Sequence, residues 1–449
     1  MFGEAVLGQQ TTLDLLAEAA GAYSEGDFNR TAILASAVLA TDPADAQACN
    51  LVGLAEFARG RHVEAARYMD RASELQPANG EYANNLGVVQ HALGDLQAAR
   101  AAFERALQSD RPLANAANNL GSILERLGDD GGAIVRYRQA LEIDPAYVEA
   151  RDNLVMVCAR VAPQWHFPMI ADRHRNAAYA EAIARVAPGR RVLDIGAGSG
   201  LLAMIAARAG ASHVATCEMQ PVIAGAAKQV VAANGLSDQI DVWPVKSNDL
   251  QVGLQLPALA EVLVTETFAS GLLSEHVLPT VDDARRRLLT PDAIIVPKRA
   301  AAWAYLVGGE IVEQHLFAAR AEQFDLSPFD LFAPSKVGIH LDRVPHEVLS
   351  GDFELFGFDL AQDHVPERRT LDIEATAAGR CVGVAVWIRL DLDAHTVYEN
   401  RPSPDAGANG WMHVIHRLAQ PVEVRPGDRV RLIASHNRLD IAVGIDPQA

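Results

Sequence analysis

Two sets of residues in the middle of the chain have the types and spacing for chemistry. The first is Asp194 with Gly196, Gly198 and Gly200, at the end of the apolar run Val192–Ile195. Glycines at these positions let backbone amides approach a ligand closely. Leu201 to Ala209 then reads as a helix, and Val214 to Cys217 as a second strand ending on Glu218. A carboxylate there is placed to accept hydrogen bonds from ribose hydroxyls. A dinucleotide site would need G-x-G-x-x-G to seat a pyrophosphate, whereas this run is D-x-G-x-G-x-G. The second set is Glu266, closing the apolar run Val262–Thr265, and Glu275, nine residues later across a loop containing Gly271. Ligands bind at the carboxyl ends of strands in open α/β sheets, so both carboxylates can face one. The plain alternatives are an ordinary glycine-rich turn and two unrelated surface glutamates.

The elements that position these residues occupy the centre of a chain of 449 residues, long enough for two or three domains. Residues 12–160 repeat on themselves at an offset of 34: Gly53, Gly87 and Gly121; Ala65, Ala99 and Ala133; Ala72, Ala106 and Ala140. Met69, Phe103 and Tyr137 supply a bulky residue between the alanines, and Pro43, Pro77 and Pro145 close units. This resembles the tetratricopeptide repeat, with small residues where paired helices cross and a large one filling the gap. The expectation is about three and a half repeats, residues 12–45 being a weaker copy and Val148–Arg160 a capping helix. Asn85, Asn119 and Asn153 recur in the same phase. Their amides can hold a peptide backbone on a concave face, or bridge neighbouring helices; both readings stand.

Composition narrows the partners. The net charge of −18 makes nucleic acid or an anionic membrane poor partners and cationic ones better, unless the surface is merely acidic. Cys49, Cys158, Cys217 and Cys381 are scattered, without metal-ligand spacing, which fits a reducing compartment and argues against disulfides or zinc. No leader pattern or bilayer-length apolar run is seen, so a cytoplasmic protein without a membrane anchor is expected.

Asp194 with its three glycines resembles motif I of the class I S-adenosylmethionine methyltransferases. Upstream, Met169-x-x-Asp172-x-x-Arg175-Asn176-x-x-Tyr179 resembles the first helix of the protein arginine methyltransferases, and Glu266 and Glu275 resemble that family's paired-glutamate loop. The resemblance implies that S-adenosylmethionine is held by Arg175, Asp194, Gly196, Gly198, Gly200, Glu218 and Ser247, the last near the adenine. Arg175 would pair with the cofactor's carboxylate, Met169 would lie beside the target nitrogen, and Trp411 would wall the arginine pocket. In the family's threonine-histidine-tryptophan loop, here Asn409-Gly410-Trp411, the histidine is replaced by Gly410, so Asp172 loses its usual partner. The implied chemistry suits the residues. A guanidinium is protonated at any working pH and is a poor nucleophile. Two carboxylates gripping it draw positive charge toward the gripped nitrogens and leave a lone pair to develop on the third.

From Pro297 onward the pattern has period two. Val382, Val384, Val386, Ile388 and Leu390 alternate, as do Leu439, Ile441, Val443 and Ile445, and Arg425-Pro426-Gly427-Asp428 reads as a turn. Glu313–Phe332 has helical spacing, about where the family inserts a dimerisation arm, which implies a possible homodimer. The expected architecture is multidomain α, α/β and β. It comprises a tetratricopeptide α-solenoid at 12–160, a Rossmann-like methyltransferase domain at 161–296 and an antiparallel β-barrel domain at 297–449. The expected function is methylation of arginine-rich proteins or peptides recruited by the repeats. Two alternatives are methylation of a small molecule and a repeat scaffold with a lapsed catalytic module.

Overall fold

A computed structural model describes residues 2–162, 166–318, 320–321, 324–403 and 410–446. The chain forms two compact units, Met1–Pro163 and Gln164–Ala449. Among these residues no helix is long and apolar enough to cross a membrane.

The first unit is an all-helical array: α1 (Phe2–Ser24), α2 (Phe28–Thr41), α3 (Ala46–Ala58), α4 (His62–Leu75), α5 (Gly80–Ala92), α6 (Leu96–Leu107), α7 (Ala114–Arg126), α8 (Asp130–Ile143) and α9 (Val148–Val161). The repeat register has a steric cause. A Cβ on Gly53 would lie 2.6 Å from the Met69 side chain, and one on Gly87 or Gly121 would lie 2.5 Å from the rings of Phe103 and Tyr137. Each hairpin closes because a bulky side chain occupies the space above a bare α-carbon. The filler grows along the chain, and the last one adds a polar lock. The Tyr137 hydroxyl donates to Glu125 at 2.5 Å, and Arg160 reaches Glu125 at 2.7 Å and Asp130 at 2.6 Å.

The first copy is a full helical hairpin, so four hairpins and α9 replace the expected three and a half repeats. The signal lay in Gly26, Gly60, Gly94 and Gly128, again 34 apart, all left-handed at φ 77 to 84°. Each ends the first helix of a hairpin, and Asp27, Asp95 and Asp129 then cap the second. The hydrogen bonds of the asparagines follow the bridging alternative. Asn85, Asn119 and Asn153 donate to Asn50, Asn84 and Asn118 on the preceding hairpin's first helix at 3.0, 3.2 and 3.0 Å.

The second unit contains a parallel sheet of β1 (Arg191–Ile195), β2 (His213–Cys217), β3 (Ile240–Trp243), β4 (Ala260–Thr265) and β5 (Leu289–Val296), in the order β3-β2-β1-β4-β5. Helices α10 (His166–Ala171), α11 (Arg173–Val186), α12 (Leu201–Arg208), α13 (Pro221–Ala233) and α14 (Val277–Arg287) accompany it. The strand order reverses between β1 and β4, and ligands of such sheets bind outside the carboxyl ends at that point.

The rest of this unit is antiparallel. Strands Arg299–Gly308, Gly379–Asp391 and His413–Val424 form the centre of one sheet, and Glu367–Glu374, Arg429–His436 and Ile441–Ile445 form another. Val384, Val386, Ile388 and Leu390 face the core shared with the parallel sheet. Val382 faces the opposite side, with Ala385 and Trp387. A bulge between Cys381 and Gly383 resets the phase, and one inserted residue swaps the faces of what precedes it. Glu313–Phe332 is not one helix. Helix Glu310–Leu316 gives way to short strands Arg320–Ala321 and Phe324–Asp325 and a 3₁₀ turn at Ser327–Phe332. Asp330 turns the chain back by accepting from the Ala318 amide at 2.6 Å. Phe324, Phe329, Leu331 and Phe332 are left exposed rather than forming a buried face.

Candidate active site

Because β1, β2, β3 and β4 are parallel, Ile195, Cys217, Trp243 and Thr265 end on one side of the sheet. Every sequence-derived candidate on the sheet lies at or just beyond those ends. After β1 the chain turns through Gly196, Gly198 and Gly200 at φ 90, 50 and 80°, values that favour glycine. The Gly198 amide donates to Glu218 Oε2 at 3.2 Å, and Gln220 donates to Oε1 at 3.0 Å. Asp194 is buried, and its Oδ2 accepts from the Thr216 hydroxyl at 2.7 Å. Its Oδ1 is buried without a hydrogen-bond partner among the described residues. Burial raises the Asp194 carboxyl to about 7, against the Thr216 hydrogen bond and with the charge of Glu218 adding to the rise. Ser247 is buried in the turn after β3, where its carbonyl accepts from Arg287 of α14 at 3.2 Å. Arg287 also binds the carbonyls of Asn248 and Leu250, stapling this turn, a role its sequence neighbourhood did not reveal.

Glu266 follows directly on β4. Its Oε2 accepts from Arg175 Nη1 at 2.8 Å in a pair that is 3% and 6% exposed. The rest of the Arg175 guanidinium binds Asn176 Oδ1 at 3.2 and 2.8 Å. Arg175 thus meets one of the paired glutamates in this structure, in addition to the cofactor-binding role expected of it. Glu266 Oε1 is buried and without a partner among the described residues. Burial raises this carboxyl to about 7; Arg175 opposes the rise, while Glu275 and Asp172 add to it.

Glu275 lies on the loop between β4 and α14. Leu272 and Leu273 anchor that loop in the core, and Leu272 and His276 adopt left-handed backbone at φ 73 and 63°. Non-glycine residues in this region cost about 1 kcal/mol or more each, and such strain clusters at functional sites. Glu275 lines a cavity of about 410 Å³ together with Met169, Gly271, Lys336, Gly410 and Trp411. It remains accessible from that cavity, whose walls remove enough water to raise its carboxyl to about 7, with Glu218 adding to the rise. Met169, Glu275 and Trp411 therefore share one cavity, whose lining does not include Glu266 or Arg175; the charges of Glu266 and Glu218 reach Glu275 electrostatically. Asn409 lies outside the described residues. Gly410 has no side chain to offer Asp172, yet Asp172 keeps a partner: the buried Tyr398 hydroxyl donates to its Oδ2 at 2.8 Å. Nothing in the period-two pattern around Tyr398 distinguished it from a core tyrosine.

Family models described as tetratricopeptide repeat match residues 16–80 and 84–146, and one described as ribosomal protein L11 methyltransferase (PrmA) matches residues 179–284. An arginine N(omega)-methyltransferase of Streptomyces achromogenes subsp. streptozoticus is 39% identical over 292 residues, 64% of this chain and 80% of that protein. Protein arginine N-methyltransferase 7 of Oryza sativa subsp. indica is 32% identical over 51% of this chain and 35% of its own length. The Bos taurus protein of that name is 29% identical over 62% and 45%. The chain thus spans less than half of these last two relatives. Among solved structures, the Trypanosoma brucei PRMT1 enzyme–prozyme heterotetrameric complex with AdoHcy superposes with a TM-score of 0.56 at 25% identity, covering 64% of this chain and 94% of that one. Arabidopsis thaliana protein arginine methyltransferase 10, at 22% identity, covers 60% and 86% with a TM-score of 0.51 and shares the fold.

Proposed function

The chain belongs to the S-adenosylmethionine-dependent arginine N-methyltransferase family, and from that premise we propose that it methylates arginine side chains of proteins or peptides between Glu266 and Glu275. The residues present fit the cofactor. The turn at Gly198 is open where a Cβ would stand, Glu218 is fixed at the end of β2, and Arg175 and Ser247 flank the same strand ends. When bound, S-adenosylmethionine supplies an electrophilic methyl group.

The reading is carried by one observation: Glu266 Oε1 is a buried acceptor without a partner among the described residues, within electrostatic reach of a second carboxylate, Glu275. An unpaired buried acceptor costs about 1–3 kcal/mol, and a substrate guanidinium removes that cost while lowering both carboxyls through its charge. Glu266 and Glu275 grip two edges of the planar head and hold it still, leaving the third nitrogen directed at the methyl group. Such positioning supplies several kcal/mol of a barrier of this kind. One of the two carboxylates, or water beside the accessible Glu275, then receives the proton the guanidinium must lose. Met169 and Trp411 exclude water from the cavity they share with Glu275.

Labelling arginine-rich peptides with radioactive S-adenosylmethionine tests this reading. Transfer is expected from the wild type, and transfer that survives Glu266→Gln combined with Glu275→Gln shows that other groups do the gripping.

The remaining assignments belong to the same proposal. The array at 12–160 recruits the substrate, 161–296 holds the cofactor, and 297–449 walls the arginine pocket. The exposed apolar side chains at 324–332 pair two copies of the chain, and the protein works in the cytoplasm.

A second reading, free arginine as substrate, is supported by the name of the Streptomyces relative and by Lys336. Lys336 lines the cavity and its ammonium is bound to Asp440 at 2.5 Å; such a cation suits a substrate carboxylate. Comparing kcat/KM for L-arginine with that for an arginine peptide of blocked termini separates the two readings.

A further inference from the structure

We propose that Tyr398 is a positioning residue for methyl transfer, its hydroxyl setting, through Asp172 and the first turn of α11, where Arg175 meets Glu266. The inference rests on the reading of Glu266 as a guanidinium-gripping carboxylate. Tyr398 lies on the short strand Val397–Glu399, paired with Leu390 of strand Gly379–Asp391. Its ring is buried, and its hydroxyl donates to Asp172 Oδ2 at 2.8 Å. The other oxygen of Asp172 caps α11, accepting from the backbone amide of Arg175 at 2.9 Å. Arg175 in turn donates to Glu266 Oε2 at 2.8 Å. One carboxylate therefore spans the antiparallel sheet and the amide of the residue that holds the catalytic glutamate. A shift of the cap is a shift of the Arg175 α-carbon. Burial and the adjacent Asp172 charge push the Tyr398 hydroxyl far above its ordinary range, so it remains a donor at every working pH.

Position 410 explains why the link comes from this strand. A Cβ there would stand 2.7 Å from the Met169 amide nitrogen and 3.0 Å from its Cα. Any side chain would push α10 away, so position 410 comes this close to Met169 only as glycine. Gly410 and Tyr398 form a linked choice: the glycine admits the close approach, and the tyrosine supplies the hydrogen bond that a side chain at 410 cannot.

The groups facing Glu266 are Arg175 and Tyr179 from α11, Asp172 from its cap, Glu275 from the following loop and Tyr398 from the antiparallel sheet. Of these only Arg175 favours the ionised carboxylate by charge, so loosening it raises the Glu266 carboxyl further. Tyr398→Phe is expected to lower kcat with an arginine peptide about ten-fold. It should also move the acid limb of kcat/KM to higher pH and speed hydrogen exchange in the first turn of α11. Replacing Tyr398 by 4-aminophenylalanine keeps a donor on the ring and should restore the wild-type limb. A lower melting temperature with superimposable acid limbs makes Tyr398 an ordinary core residue and overturns the proposal, as does exchange at Arg175 that the phenylalanine leaves unchanged. A wild type that transfers no methyl to arginine overturns the functional reading instead, and the exchange measurement then decides the Tyr398 link alone.

Discussion

The helical array and the cleft solve opposite problems. In the array a single arrangement is made three times: Gly53 under Met69, Gly87 under Phe103 and Gly121 under Tyr137. Each contact satisfies packing completely, and each amide of the asparagine series has its neighbour. In the cleft each arrangement is made once and is left incomplete. Glu266 Oε1 and Asp194 Oδ1 are buried acceptors without partners among the described residues, and Leu272 and His276 carry left-handed backbone around Glu275. The array is built to be stable, whereas the cleft keeps unsatisfied charge that a ligand can satisfy. Stability and catalysis should therefore respond to different residues.

The largest test of that division is Glu266→Gln, expected to lower kcat about a thousand-fold while calorimetry finds S-adenosylmethionine affinity within a few-fold of wild type. Loss of cofactor binding instead would assign Glu266, with Arg175, to the cofactor rather than to the arginine. Gly87→Val is the converse. Its branched side chain must displace the Phe103 ring, which costs about 1–3 kcal/mol and lowers the thermal midpoint of the helical signal. Turnover of a short arginine peptide should stay within about two-fold of the wild type. Asn119→Ala removes one bridge and should cost about 0.5–1.5 kcal/mol by urea titration. Weaker peptide binding at unchanged stability would favour the ligand-holding reading of the asparagines.

The smallest effect concerns Glu275. Its carboxyl is raised to about 7 in the folded protein, so the native state holds the proton more tightly than the unfolded chain does. Stability therefore falls as pH climbs through the interval up to about 7. Glu275→Gln should melt a degree or two above the wild type at pH 8, solvent access limiting the gain, and most of that difference should be gone at pH 5. The opposite sign would mean that a cation already holds Glu275 in the free protein.

These two regions also differ in how far the sequence disclosed them. The array was legible because a 34-residue period reports the same steric event repeatedly; the completeness of the first hairpin shows only in the second period, that of Gly26, Gly60, Gly94 and Gly128. In the cleft, the glycine turn, Glu218, Glu266 and Glu275 were legible as strand-end residues, since parallel strands bring all such ends to one side. The bond from Arg175 to Glu266 was not, because it joins residues 91 positions apart on different elements. Tyr398 reaches Asp172 across 226 positions, from a strand whose alternation explains a tyrosine equally well as core. The change of face between Val382 and Val384 was not legible, because a one-residue bulge leaves no mark in an apolar run.

The enlarging series of fillers has a mechanical consequence. Met69 is a flexible side chain packed in an apolar cluster, Phe103 is a rigid plate, and Tyr137 is bolted through Glu125 to Arg160. In a solenoid each repeat answers chiefly to its immediate neighbours, so of the three hairpins that share this contact α3–α4 should breathe most easily and α7–α8 least. From α3 onward the array behaves as a spring of graded stiffness, supple at Met69 and firm where the last hairpin meets α9.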